Sequence, residues 1–327
     1  MRKQLNKPLN LAIVVRLFSP SGGLEFYAHR LVQGLLERGH KVTVLCQDNE
    51  STLAHPLLTV KTTEKEAAGL SKAEKIKHRF ASLSKLVRES GEFDLVHSQH
   101  CPVEKADVVT FHQHTVKRFS QTGYPAERLI NEAKCRLNPA YKLRYEQDEI
   151  LLKTTKLRIF VSEVCRRDFY ETYALNPESY PYSFAPCAAE PGNDSSFDIA
   201  GKVTNKPFTY LFIGKGYAKK GLDTLFKALS ILKARGLDNK LLVIGMKPSP
   251  LNKSLASLNG IADRVELLGY QKDLSLFQDI SDTIVVPSKC EAFGMSPVEA
   301  MLRGVIPIVS QVSGVSEYLE DLSLIHI

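Results

Sequence analysis

The sequence has no run of 18 apolar residues, so no segment is built to cross a bilayer as a helix. Its six cysteines stand far apart, at positions 46, 101, 135, 165, 187 and 290. No CxxC or CxxxC pair occurs, which removes the usual signature of a zinc site or a disulfide framework. A GxGxxG fingerprint is missing, which disfavours a dinucleotide fold of the dehydrogenase type. Asp-x-Asp, a common way of presenting carboxylates to a divalent ion, is missing too. The apolar run Leu11 to Val15 is too short for a signal-peptide core, although the basic Met1-Arg2-Lys3-Gln4 precedes it. Scattered thiols without an export signal predict a cytoplasmic protein.

What is present is a soluble composition, with 43% hydrophobic and 24% charged residues. A chain of 327 residues accommodates two domains, each with its own core. The net charge of +7 favours anionic partners. The positive residues are spread out and lack interleaved aromatics, which argues against nucleic acid. The lysine-rich stretch 61–90 and the highly charged helical span 125–153 have two readings: solvated faces, or contact with an anionic membrane surface.

The pattern along the chain alternates strand and helix. Leu9 to Val15 is apolar throughout except for Asn10, as in a strand covered on both faces. Ser19-Pro20-Ser21-Gly22-Gly23 breaks it; Leu24, Ala28, Leu31 and Leu35 then recur at helical spacing, and Lys41 to Leu45 starts the next strand. Such βαβ units predict a parallel sheet. Further strands are expected at 93–97, 107–111 and 157–161, with a helical span over 125–153. A Pro/Gly-rich stretch follows, and the alternation restarts at residue 208. The expected layout is an α/β protein of two Rossmann-like, doubly wound domains: 1–185, a linker over 186–206, and 207–327.

Three segments carry candidate chemistry. The first is Glu291-Ala-Phe-Gly-Met-Ser-Pro-Val-Glu299, just after a strand. Its plain reading is a helix start, with Ser296 as N-cap, Pro297 in the first helical position and Glu299 completing a capping box. Its functional reading places Phe293, Gly294 and Met295 at a positive helix end that attracts anions, with carboxylates for sugar hydroxyls. The second is Gly214-Lys215-Gly216-Tyr217-Ala218-Lys219-Lys220-Gly221, a basic loop after the first strand of its domain, at the sheet edge where ligands bind. Its lysines are cations able to stabilise a departing diphosphate; a solvated loop is the alternative. The third is Gly22-Gly23, where the backbone is able to approach a phosphate closely, or simply a tight turn. Histidines at 97, 100, 112 and 114 lack carboxylate or cysteine neighbours at metal-ligand spacing.

These segments resemble glycosyltransferase family 4, with the GT-B fold. The two glutamates separated by seven residues, Glu291 and Glu299, match its hallmark, with Phe293-Gly294 displaced by one alanine. The resemblance implies that Glu291 faces the donor sugar and that Glu299 accepts hydrogen bonds from the nucleotide ribose. It places Lys215 and Lys220 at the basic loop positions, Lys215 replacing a more usual arginine, and Gly22-Gly23 near the donor diphosphate. Thr110-Phe111-His112 resembles a family motif whose histidine faces the donor sugar; His97 is read as structural. The implied reaction is retaining transfer of a hexose from a nucleoside diphosphate sugar, a UDP-sugar in the first instance, to a glycan or glycolipid. No metal is required, and the active site lies in the cleft between the domains. Within the family the layout looks most like lipopolysaccharide core glucosyltransferases, which suggests work at the inner face of the membrane. Gly304-Val305-Ile306-Pro307 and Ser313-Gly314-Val315-Ser316-Glu317 also follow the family pattern. A GT-B sugar-nucleotide epimerase and a non-catalytic sugar-nucleotide or glycolipid binder are the alternatives. Since the family pattern continues past Asp321, a C-terminally truncated second domain is expected.

Overall fold

The computed structural model describes residues 7–64, 66–120, 124–189 and 207–319. Most of the expected linker, residues 190–206, lies outside them, as does the terminal segment from residue 320. Contacts divide the chain into two compact units, Met1–Gln121 with Leu129–Cys187, and Thr122–Arg128 with Ala188–Ile327.

The first unit runs β1 (Asn10–Phe18), α1 (Gly23–Glu37), β2 (Lys41–Asn49), β3 (Leu58–Thr62), α2 (Lys72–Glu89), β4 (Leu95–Gln99) and β5 (Val108–Phe111). The chain continues through α3 (Val116–Ser120), α4 (Pro125–Leu137), α5 (Pro139–Thr154), β6 (Leu157–Phe160), α6 (Glu163–Thr172) and β7 (Tyr182–Phe184). The seven strands form one parallel sheet in the order β3-β2-β1-β4-β5-β6-β7. Alternate residues of β1 serve opposite faces. Ile13 and Val15 pack with Ala28, Val32 and Leu36 of α1, while Ala12 and Val14 pack with Leu83 and Val87 of α2. Each fully buried valine, leucine or isoleucine of this kind stabilises the fold by about 1.5–3 kcal/mol. The lysine-rich stretch is therefore a true core helix. Ser71 accepts from the Glu74 N–H (3.3 Å) while the Ser71 N–H donates to the Glu74 carboxylate (2.8 Å), a capping box at the start of α2.

The second unit runs β8 (Phe208–Ile213), α7 (Leu222–Ala234), β9 (Asn239–Ile244), α8 (Pro250–Leu258), β10 (Val265–Gly269) and α9 (Ser275–Asp279). It continues with β11 (Thr283–Val286), α10 (Met295–Met301), β12 (Ile306–Val309) and a 3₁₀ turn at Gly314–Tyr318. Its five parallel strands are ordered β10-β9-β8-β11-β12. Phe212, Leu241, Val243 and Val285 of the sheet meet Leu222, Leu225, Phe226 and Leu229 of α7 in one core.

Both sheets are thus doubly wound. Strand order reverses between β1 and β4 in the first and between β8 and β11 in the second, and the crevice at such a switch point is where this architecture binds ligands. Two differences from the sequence reading have physical causes. The helical span 125–153 breaks at Asn138-Pro139, because Asn138 caps α5 by accepting from the Ala140 N–H (2.9 Å) and the proline ring cannot continue α4. The edge strands β3 and β7 carry no apolar run, and all three residues of β7 are exposed, so periodicity does not mark them.

Candidate functional site

At the switch point of the second sheet, the loop after β8 meets the loop after β11. Gly221 makes the junction tight: its φ is 75°, and a Cβ there would lie 1.8 Å from the Pro287 carbonyl oxygen. Across the same seam the Lys289 N–H donates to the Lys219 carbonyl (3.0 Å). This packing sets Lys220 beside Glu291, and the two form an ion pair whose side chains are neither buried nor fully exposed. The Lys220 stem also covers Gly214, whose added Cβ would lie 3.3 Å from Lys220 Cγ.

The second glutamate is reached through a turn the sequence reading had started two residues too late. α10 begins at Met295 with Gly294 as its N-cap, at φ 96°, and no side chain caps it. The capping-box reading of Ser296 and Glu299 therefore fails. With Gly294 at a positive φ as the N-cap, Ser296 is already the second helical residue and Glu299 the fifth, past the third position that a capping box requires. The Glu299 carboxyl is half-buried, and desolvation raises its pKa. Gly294 is hemmed in: a Cβ would sit 3.1 Å from Ser313 Oγ and 3.2 Å from Glu291 Cγ. Ser313 Oγ donates to the Phe293 carbonyl (3.0 Å), the Val315 N–H to the same carbonyl (2.8 Å), and the Gly314 N–H to the Glu291 carbonyl (3.1 Å). The Ser313–Val315 segment is therefore the strut that fixes the glutamate loop.

Of the expected residues in this unit, Lys220, Glu291, Phe293, Gly294, Met295 and Glu299 fall on two adjoining loops and the helix that follows them. Lys215 is exposed, and its ammonium lies 5.7 Å from the centre of the Tyr270 ring, a cation–π contact with the loop after β10. The sequence reading missed Lys289, whose ammonium donates to the buried Asp223 carboxylate (2.7 Å) at the start of α7. Nothing in the spacing of two residues 66 apart signals that pairing.

In the first unit, Gly22 (φ 97°) precedes α1, and a Cβ there would meet the Glu25 carboxylate at 2.7 Å. Gly23 has nothing within 4 Å of an added Cβ, so space is open on that side. His112 follows β5, donates through Nε2 to Gln99 Oε1 (3.0 Å) and packs edge-on against Tyr27 of α1, with ring centres 4.7 Å apart. Burial, reinforced by His100 and His97, pushes its pKa down to about 3, so it is a neutral imidazole at pH 7. His97 bonds Thr110 Oγ1 (2.7 Å) between β4 and β5, a core role as expected. His114 Nδ1 bonds Asp168 (2.9 Å), which also accepts from the Thr115 N–H (2.7 Å) and hydroxyl (3.0 Å). Among the described residues no cluster of three or more His, Cys, Asp or Glu is arranged to hold a metal ion.

The family description "Glycosyltransferase Family 4" matches residues 21–180, and "Glycosyl transferases group 1" matches residues 195–324. An uncharacterized glycosyltransferase of Bacillus subtilis strain 168, YqgM, is 34% identical over 117 residues, 35% of this chain and 32% of that protein. The lipopolysaccharide glucosyltransferase WaaG of Escherichia coli K12 is 25% identical over 179 residues, 52% of this chain and 47% of WaaG. The chain thus spans less than half the length of these curated relatives. In three dimensions it is similar to the crystal structure of WaaG, with a TM-score of 0.73 at 20% identity, covering 97% of this chain and 86% of that one. Anabaena HepE, solved in complex with UDP-glucose, gives 0.62 at 14% identity over 97% and 85% of the two chains. With a glycosyltransferase family matched on each side of residues 181–194 and two doubly wound sheets, the chain belongs to the GT-B glycosyltransferases of the family 4 type.

Proposed function

We propose that the chain transfers a hexose from a nucleoside diphosphate sugar to a hydroxyl of a glycan or glycolipid, with retention of anomeric configuration. The observation that carries this reading is the Lys220–Glu291 pair at the switch point of the second sheet, with Glu299 on the helix that follows. Departure of the nucleoside diphosphate builds negative charge, and a positioned ammonium stabilises it where it develops. Lys220 takes that role, and Lys215 on the same loop adds a second positive charge. Glu291 accepts from donor-sugar hydroxyls, while Glu299 accepts from the ribose. His112 is assigned to the donor sugar and Gly22-Gly23 to the diphosphate. Phe293, Gly294 and Met295 supply the turn that seats the nucleotide.

A UDP-sugar is the donor we favour, because a structural neighbour was solved with UDP-glucose. We further propose an acceptor in lipopolysaccharide core assembly and work at the cytoplasmic face of the membrane; the likeness to WaaG, a lipopolysaccharide glucosyltransferase, supports a lipopolysaccharide acceptor. No helix among the described residues is long and apolar enough to cross a membrane. We assign the two domains to residues 1–185 and 207–327, joined by 186–206, with the acceptor on the first and the donor on the second. We assign no metal to the reaction, since lysines supply the positive charge that a divalent ion supplies elsewhere.

The test is calorimetric titration of UDP-, GDP- and ADP-glucose, followed by transfer of labelled glucose to a lipopolysaccharide-core acceptor with chelator present. Binding of UDP-glucose, weakened in Lys220→Ala, and an α-linked product are expected. Absence of binding by all three nucleotide sugars refutes the reading.

A further inference from the structure

The first unit contains a cavity of about 240 Å³ that the donor chemistry does not use. It is small beside the roughly 300–1,000 Å³ of drug-sized sites and suits about one sugar ring with a substituent. It opens at the carboxyl ends of β1 and β4, beside the switch point of the first sheet. Three guanidinium groups line it from three separate elements: Arg16 in β1, Arg79 in α2 and Arg144 in α5. Arginine is the side chain whose planar fork matches a phosphoryl or carboxylate group.

Their remaining partners leave donors to spare. Arg79 gives its Nε–H to Gln47 Oε1 (2.7 Å) and sits 3.5 Å from Glu66, two contacts for a group with five N–H donors. Arg16 lies 3.6 Å from Glu25, a loose pair. Among the described residues Arg144 has no carboxylate within ion-pair distance. A neutral donor joins them. Gln99 is 1% exposed and lines the cavity; its Oε1 is occupied by His112, and its Nε2 has no partner among the described residues. A buried amide left so is costly unless something accepts from it.

The cavity is held in shape at some cost. His100 adopts φ 49°, unusual for a residue with a side chain, and strain of this kind collects at ligand sites. Its Nε2 meets Asp148 Oδ1 (3.2 Å), and Asp148 also accepts from the Tyr173 hydroxyl (3.4 Å). The acidic residues of the lining, Glu25 and Asp148, are thus engaged with Arg16 and His100, and both retain oxygens able to accept from hydroxyls. A ligand that carries an anion at one end and hydroxyls at the other satisfies all these groups together.

We propose that this cavity binds a sugar phosphomonoester, so that the acceptor presents a phosphorylated sugar ring to the first unit. This deepens the transferase reading and rests on it. The three arginines and the Gln99 amide hold the phosphoryl oxygens, and the carboxylates hold ring hydroxyls.

The experiment is isothermal titration of the chain with mannose, mannose 6-phosphate and pentamannose 6-phosphate, in wild type, Arg16→Gln and Arg144→Gln. Both arginines are exposed, so the fold tolerates their change; UDP is titrated in parallel. Binding of a phosphorylated sugar at least about tenfold tighter than mannose, lost about tenfold in each variant and weakened by salt, is the expected result. Binding by the monosaccharide ester supports a free sugar phosphate. Binding by the oligosaccharide ester alone supports a phosphorylated glycan end. Equal affinity for mannose and its phosphate, or no change in either variant, overturns the proposal. UDP binding decides the donor reading separately: it is unaffected by either variant if both readings hold, and its absence in wild type sinks the donor reading while the phosphate titration still judges this one.

Discussion

Gly221→Ala is the substitution from which the packing of the donor loops stands or falls. Gly221 has φ 75° and forms the N-cap of α7, and a methyl there would be driven into the Pro287 carbonyl oxygen, 1.8 Å from an ideal Cβ. Two costs add. A left-handed conformation costs a residue with a Cβ roughly 1–2 kcal/mol, and overpacking against backbone costs roughly 1–3 kcal/mol more. The contact is with main chain, so no rotamer relieves it; the loop carrying Lys289 and Glu291 must retreat from that carrying Lys220. The expected total is about 2–5 kcal/mol, seen as a midpoint lowered by roughly 4 °C or more in the transition of the second unit. Gly216→Ala is the control: its Cβ meets neighbours at 3.5 Å and beyond, ordinary contact. Differential scanning calorimetry on both variants, with UDP titration, checks the argument. Unfolding of Gly221→Ala at the wild-type temperature, with unchanged UDP affinity, would show that the two loops do not depend on this approach.

Three further outcomes follow from the same geometry. Lys220→Ala should slow transfer by about one to two orders of magnitude in kcat/KM, the loss of one charge-assisted contact of roughly 1.5–3 kcal/mol; unchanged turnover removes its diphosphate role. Glu299→Gln should separate stability from binding. The folded pKa of Glu299 is raised, so its stability contribution is greatest below the unfolded carboxylate pKa and falls as pH rises through the folded one. The neutral amide should therefore unfold at higher urea than wild type at pH 7, yet bind UDP about tenfold more weakly while pyrophosphate affinity stays unchanged. Loss of stability instead would mean that the carboxylate is satisfied. His97 is held near pKa 4 by burial against about 6.5 when unfolded, so its penalty is absent above pH 6.5 and grows as pH falls toward 4. It should cost the first unit about 2 kcal/mol by pH 5, with His112 adding to it, and His97→Gln should flatten part of that slope in urea melts at pH 7 and pH 5.

Much of the fold was legible because both faces of each central strand are covered. β1 needs Ile13 and Val15 on one side and Ala12 and Val14 on the other, so it reads as an unbroken apolar run. The edge strands β3 and β7 bury little and leave no such trace. In the second unit, Glu291 and Lys220 stood out through the family resemblance, and the structure sets them side by side, while the glycines were legible because positive-φ positions restrict residue type. The start of α10 was misread because Ser296-Pro297 carries strong capping chemistry, whereas Gly294 achieves the same turn by its positive φ alone. Pairings between distant positions were not legible. Lys289 with Asp223, and the Ser313 strut beneath Phe293, depend on which strands become neighbours. The arginines of the first-unit cavity sit in β1, α2 and α5, each reading alone as part of a solvated basic surface.

The central claim is that Lys220, Glu291 and Glu299 hold a nucleotide sugar at the carboxyl edge of the second sheet. A crystal structure with UDP-glucose tests it most directly. The account predicts a diphosphate oxygen within hydrogen-bond distance of Lys220 Nζ, ribose hydroxyls donating to Glu299, and hexose hydroxyls donating to Glu291. Nucleotide density anywhere else on the chain, with the Lys220–Glu291 pair untouched, would contradict it.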